Sequence, residues 1–160
     1  ASSPSIVYQQ INQFKQEYNI EEDDQLWIVV DRDKWPVKMI KSVAQFCNSD
    51  QHLNFCMSNP CFELWLLLHI EDVSSLSEDV KDKMRSNKKK SKRGGDTFLK
   101  KRLRNHLGSY QESNYDAERL IATVDDAITR ADALDTNKQD RWPQELGTSV
   151  YKLAQSILKQ

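Results

Sequence analysis

Two aspartates separated by one residue, Asp31 and Asp33, follow directly on five consecutive apolar residues, Leu26-Trp27-Ile28-Val29-Val30. A run of that kind, bounded by charges and rich in β-branched types, predicts a strand buried on both faces. Carboxylates at the carboxyl end of a strand sit where open α/β sheets place their ligands. Residues two apart on a strand point to one side, so the two carboxylates are expected to project together while Arg32 points away. Like charges so close repel unless a cation lies between them, and paired hard oxygen donors suit Mg²⁺ or Mn²⁺. The competing reading is a turn or helix cap beyond the strand, where Asp is common.

Glu63 is the second candidate. With Asn59 as N-cap and Pro60 as the first helical residue of a helix running to His69, Glu63 falls at the fourth position, one past the site from which a capping-box Glu reaches back. Its neighbours Phe62, Leu64 and Trp65 are apolar, so a carboxylate there is expected to serve a metal or a substrate. Asn59 and Pro60 position that helix, and His69 closes it, where the dipole favours an imidazole and a structural role is expected. Lys88, Lys89, Lys90, Lys92 and Arg93 form a basic run that would either contact nucleic-acid phosphates or stay a solvated loop. Thr148-Ser149 reads as the cap of the last helix, or as a hydroxyl pair able to meet a phosphate.

These residues must be placed by the elements around them. Ser3-Pro4 followed by Val7, Ile11, Phe14 and Tyr18 predicts a capped amphipathic helix. After the aspartates, Pro36 opens a helix with Val37, Ile40, Val43, Ala44 and Cys47 inward, and Leu53, Phe55 and Met57 alternate as a second strand. Strand, helix and strand in that order predict a parallel βαβ unit. The segment from Cys61 to His69 is apolar nearly all round, so its helix must be central. A polar helix starts near Ser77-Glu78, a basic loop spans 88–95, and helical patterns return over Thr97 to Leu107, Tyr115 to Leu134 and Thr148 to Leu158. The last of these is expected to turn Val150, Leu153, Ala154, Ile157 and Leu158 inward. The expected architecture is α/β, a core over 1–72 with a short parallel sheet flanked by helices, and a helical extension over 73–160 packed on the same core.

The 160 residues, 38% apolar and 29% charged, fit one ordinary domain and exclude a collagen-like or low-complexity chain. A formal net charge of -1 hides an asymmetry. From Lys81 to Arg104 twelve Lys or Arg face two acids, leaving eleven basic and twenty-two acidic residues elsewhere, so the chain is +10 in one segment and -11 in the rest. No apolar run reaches the ~18 residues of a membrane span, so no membrane partner is expected. Cys47, Cys56 and Cys61, an odd number without metal-ligand spacing, imply buried thiols in a reducing, cytoplasmic setting.

Val30-Asp31-Arg32-Asp33, then Ser58-Asn59-Pro60-Cys61-Phe62-Glu63-Leu64-Trp65-Leu66-Leu67-Leu68-His69, and finally Thr148-Ser149-Val150 with a closing helix, together resemble the RloB family over nearly the whole chain. That family occurs as accessory genes in bacterial restriction-modification and phage-defence loci, and its core is similar to the Toprim domain of topoisomerases, primases and overcoming-lysogenization-defect nucleases. The resemblance implies Mg²⁺-dependent cleavage of nucleic-acid phosphodiesters, of DNA or RNA, with Asp31 and Asp33 as metal ligands. It makes Glu63 a third acid and gives Asn59 a capping or substrate-contacting role. It also implies a defence-system protein partner and leaves room for a homo-oligomer that lends the sheet a strand. Family members normally begin with an apolar strand and a Glu-Gly-type turn, and no residue here matches that glutamate. The chain is therefore expected to be a fragment of an active nuclease or a natural short form. The alternative is a binding or regulatory module that kept the fold without efficient hydrolysis.

Overall fold

The computed structural model describes residues 3–91 and 94–159, with the backbone alone at Lys90 and Ser91. Helix α1 (Pro4–Glu17) starts with Pro at its first turn, where the missing N–H is no loss. Strand β1 (Leu26–Asp31) passes through a 3₁₀ turn (Arg32–Lys34) into α2 (Val37–Asn48), which buries Ile40, Val43, Ala44 and Cys47. Strand β2 (Leu53–Asn59) returns parallel to β1, with Leu26 opposite Leu53 and Asp31 opposite Ser58. The predicted βαβ unit is thus present. A third strand, β5 (Gly147–Thr148), pairs antiparallel with the end of β2. The sheet order is β1-β2-β5, so the sheet is mixed where a parallel one was expected.

Helix α3 (Glu63–Leu68) follows β2 and all six of its residues are buried, as an all-round apolar helix requires. Leu64, Leu67 and Leu68 are fully enclosed, each contributing about 1.5–3 kcal/mol relative to exposure. Helices α4 (Glu78–Ser86), α5 (Phe98–Leu107), α6 (Ala117–Ile121), α7 (Val124–Leu134) and α8 (Val150–Leu158) complete the chain. Two cores lie on opposite faces of the sheet. Ile28 and Val30 of β1 with Leu53 and Met57 of β2 pack against α2 and, through Val7 and Ile11, α1. On the other face Cys56 joins Leu64, Leu67, Met84, Leu99, Leu103, Ala127, Ala131 and Val150.

Several expectations are corrected. Asn59 ends β2 and precedes a cis peptide bond to Pro60, so neither residue opens a helix. The helix begins at Glu63 with Phe62 at the N-cap position. The basic stretch is not a simple loop: β3 (Lys89–Ser91) and β4 (Gly94–Thr97) form an antiparallel hairpin. Lys92 and Arg93 lie outside the described residues. The pattern from Tyr115 to Leu134 breaks at Ala122-Thr123 into two helices. Val29 is 41% exposed, so β1 is not buried on both faces, and the strand order places it at the edge of the sheet. Phe14 on α1, Tyr18 just past its end, and Ile157 and Leu158 on α8 also face solvent.

Candidate functional site

Asp31 closes β1 and its Oδ1 accepts a hydrogen bond of 2.8 Å from the Phe62 backbone N–H. It thereby caps, from another strand, the turn that leads into α3. Its Oδ2 lies 3.0 Å from Lys34 Nζ, and this contact holds the Lys34 pKa above the ordinary lysine value. Asp33 belongs to the 3₁₀ turn rather than to the strand, so strand alternation is not what sets its direction. Its N–H donates to Pro60 O at 3.0 Å, which ties the turn to the start of the β2–α3 connection. The residue is exposed at the surface, and the neighbouring Asn87 amide favours the charged form of its carboxyl. Loss of hydration around that carboxyl, then repulsion from Asp31 and, more weakly, Glu63, raises the Asp33 pKa above the ordinary aspartate value, against an opposing pull from Lys34.

Glu63 is 5% exposed. Tyr110 Oη donates a long hydrogen bond of 3.5 Å to its Oε1, and Lys100 Nζ lies 3.8 Å from the same oxygen while also pairing with Glu112. Burial, then the charge of Glu63, pushes the Tyr110 hydroxyl well up, and the same two causes push up the Cys61 thiol beside it. Asn87 connects the two halves of this cluster. It adopts φ 40° at the end of α4, a left-handed conformation that Asn tolerates better than most residues. Its amide donates to Cys61 Sγ at 3.4 Å and its carbonyl accepts from Leu99 N–H at 3.0 Å. The basic hairpin therefore springs from a residue that neighbours Asp33. Lys88 and Lys89 are exposed on it.

The structure thus gathers Asp31, Asp33 and Glu63 at one end of the sheet. Among the described residues, however, no group of three or more His, Cys, Asp or Glu is spaced to hold a metal ion. The donor chemistry suits a hard divalent ion at Asp31 and Asp33, since Mg²⁺ commonly takes one or two carboxylates and completes its shell with water and substrate phosphate. Glu63 is engaged with Tyr110 and Lys100 instead of facing an ion directly.

The remaining candidates sit apart. The Asn59 side chain donates to Pro143 O and Gln144 O, at 3.3 and 2.9 Å, pinning the loop before β5. His69 Nδ1 donates to Trp65 O at 2.9 Å, and burial holds its pKa below the ordinary histidine value, so it stands as a neutral ring inside the core rather than as a charged cap. Thr148 and Ser149 are buried. Thr148 Oγ1 shares a 2.7 Å bond with Ser58 Oγ, and Ser149 Oγ accepts from Met57 N–H at 2.9 Å. Thr148 Oγ1 also accepts from Val150 N–H at 3.2 Å, at the start of α8 where the sequence predicts a cap, so both hydroxyls are engaged, which removes the phosphate reading of that pair. Lys34, Asn87, Lys100, Tyr110 and Glu112 were not signalled by the sequence.

A cavity of about 210 Å³ lies against the acids, lined by Asp31, Lys34, Phe62, Glu63, Tyr110, Glu112 and Tyr115. A larger groove of about 640 Å³ runs along the open edge of β1 beneath Val7 and Ile11 of α1 and reaches the same Asp31, Lys34 and Phe62. The three cysteines are free and buried, and no helix among the described residues is long and apolar enough to cross a membrane.

The model of a family described as RloB-like protein matches residues 1–157. No curated protein and no solved structure matches the chain.

Proposed function

The chain belongs to the RloB-like protein family, and on that footing we propose that it is a divalent-metal-dependent domain that cleaves nucleic-acid phosphodiesters, in a bacterial phage-defence setting within the cytoplasm. The observation that carries this reading is the convergence of Asp31, Asp33 and Glu63 beyond the carboxyl ends of the parallel pair β1–β2, where lost hydration first, and repulsion from Asp31 second, raise the Asp33 pKa. Asp31 and Asp33 would hold Mg²⁺ or Mn²⁺. When bound, the ion would offset phosphate charge and supply a more acidic water. Asp31 does double duty, since its second oxygen fixes the Phe62 turn and so the start of α3. Glu63, kept in place by Tyr110 and Lys100, would sense the ion at one remove and orient water. Lys88 and Lys89, on a hairpin rooted at Asn87, would draw the polyanion toward the acids, together with Lys90, Lys92 and Arg93 as the sequence implies.

A second reading has its own observation. Lys34 and Lys100 already neutralise Asp31 and Glu63, which favours a module that binds nucleic acid or a defence partner without turning over. One experiment separates the two. End-labelled DNA and RNA, single- and double-stranded, are incubated with the protein in Mg²⁺ or Mn²⁺, alongside the Asp31→Asn plus Asp33→Asn variant and a calorimetric titration of Mn²⁺. Metal-dependent cleavage lost in the double variant supports the enzyme. Full activity in the double variant refutes the assignment, and Mn²⁺ binding without turnover favours the module.

A further inference from the structure

Three aromatic residues, Phe62, Tyr110 and Tyr115, line the cavity beside the acids. Tyr110 and Tyr115 stand with ring centroids 5.6 Å apart and planes tilted by 39°, and Phe62, which sets the N-terminus of α3, completes the wall. Tyr110 is buried, whereas Phe62 and Tyr115 are each partly open to solvent. Stacking against aromatic faces is how proteins hold unpaired bases. The polar part of the lining settles which portion of a nucleotide fits. Three carboxylates, Asp31, Glu63 and Glu112, face Lys34 in the lining and Lys100 behind it, so the cavity keeps an excess of one negative charge and disfavours a phosphate. A neutral base meets no such penalty. Carboxylates only accept hydrogen bonds, which favours cytosine, adenine or guanine, whose exocyclic amino groups donate, over thymine or uracil, which present a carbonyl there.

Two cations stand just outside. An adjoining hollow of about 340 Å³ shares Tyr110 and Glu112 as its wall and contains Lys100 and Arg104, paired with Glu112 and Asp96 at its rim, which a phosphate would have to displace. Arg104 also donates to Tyr110 O at 3.2 Å, fixing the wall between the two spaces. Base and phosphate thus have separate, adjacent places.

We propose that the Phe62–Tyr110–Tyr115 cavity takes one unstacked, amino-bearing base of a single strand, while the strand's phosphates pass Lys34 on one side and Lys100 and Arg104 on the other. The proposal rests on the nucleic-acid reading above and narrows its substrate class to unpaired DNA or RNA. A base stacked within a duplex cannot enter.

The test is fluorescence anisotropy with the full chain in EDTA, using labelled homopolymers of about twelve nucleotides of cytosine, adenine, thymine and uracil and a blunt duplex of about the same length. Cytosine and adenine strands should bind about 5- to 150-fold more tightly than thymine or uracil strands and than the duplex. Tyr115→Ala should weaken the cytosine strand by a similar factor and Tyr115→Trp should restore it. Glu112→Gln, a change at an exposed position, adds an amide donor and should shrink the preference for cytosine over thymine, which keeps the proposal exposed even where Tyr115→Ala fails to fold. Equal binding of duplex and single strand, no preference between bases, or an unchanged ratio in Glu112→Gln overturns it. Because EDTA removes turnover, the two proposals fail separately. Selective binding without hydrolysis in Mn²⁺ sinks the nuclease reading and spares the cavity; hydrolysis indifferent to base and to Tyr115 does the reverse.

Discussion

Replacing Asp31 by Asn and by Ala separates two tasks that one carboxylate performs. The Asp31 Oδ1 contact with Phe62 N–H at 2.8 Å is a hydrogen bond to an ionised acceptor on a side chain only 15% exposed, a class that contributes about 1.5–3 kcal/mol. The Lys34 pair adds little, because Lys34 is 58% exposed and such surface pairs contribute about 0–1 kcal/mol. Asp31→Asn keeps a carbonyl oxygen for the Phe62 N–H and is expected to lose about 1 kcal/mol or less, whereas Asp31→Ala leaves that N–H without its acceptor and should lose about 1.5–3 kcal/mol. Urea unfolding in EDTA, followed by tryptophan fluorescence, measures both. Repeating the curves in Mn²⁺ reads the second task. At a free ion concentration about ten times Kd, the wild-type chain should gain about 1.4 kcal/mol, and both variants should lose that gain. Equal destabilisation by Asn and Ala would show that the capping bond is not what Asp31 contributes, and a Mn²⁺ gain surviving in both variants would refute its role as a ligand.

Two further predictions concern the scaffold, one beside the site and one in the core. Asn87→Ala forfeits the bond to the buried Leu99 N–H and places Ala at φ 40°, so chemical denaturation should show a loss of about 2–5 kcal/mol; Asn87→Gly, free of the backbone strain, should lose about 1–2 kcal/mol less. His69 has a folded pKa held below its ordinary 6.5 by burial, so the unfolded chain binds the proton first. Stability from this group is full above about pH 6.5 and is lost as pH falls through the folded value. His69→Gln should flatten that part of the pH-stability curve, and an unchanged slope between the two proteins would contradict a neutral buried ring.

The sequence exposed those features whose cause is local. The apolar run of β1 names a strand, the aspartates behind it name its functional end, and the all-round apolar α3 could only be central. What it concealed depends on partners far along the chain. The start of α3 was misplaced because its N-terminal N–H is capped by Asp31, 31 positions away, and not by Asn59. A cap delivered across the fold leaves no local signal. Tyr110, Lys100 and Glu112 were invisible for the same reason: Tyr110 meets Glu63 across 47 positions, and neither end of that contact carries a spacing rule. The hydroxyl pair Thr148-Ser149 reads as a helix cap, and Thr148 does accept from Val150 N–H at the start of α8, yet the pair is also drawn against β2 by the two-residue strand β5. Strands so short have no periodicity to detect.

The one-sided pairing of β1 gives that strand two stabilities. Leu26 N–H donates to His52 O, and alternation along a parallel ladder sends Ile28 and Val30 the same way. Trp27 and Val29 turn their amides to the unpaired edge. In hydrogen–deuterium exchange the inner amides should open only when β1 parts from β2, near the global limit, whereas Trp27 and Val29 should exchange through local fluctuations. Neighbouring residues of a single strand then report separately on the endurance of the sheet and on whatever comes to lie along its border.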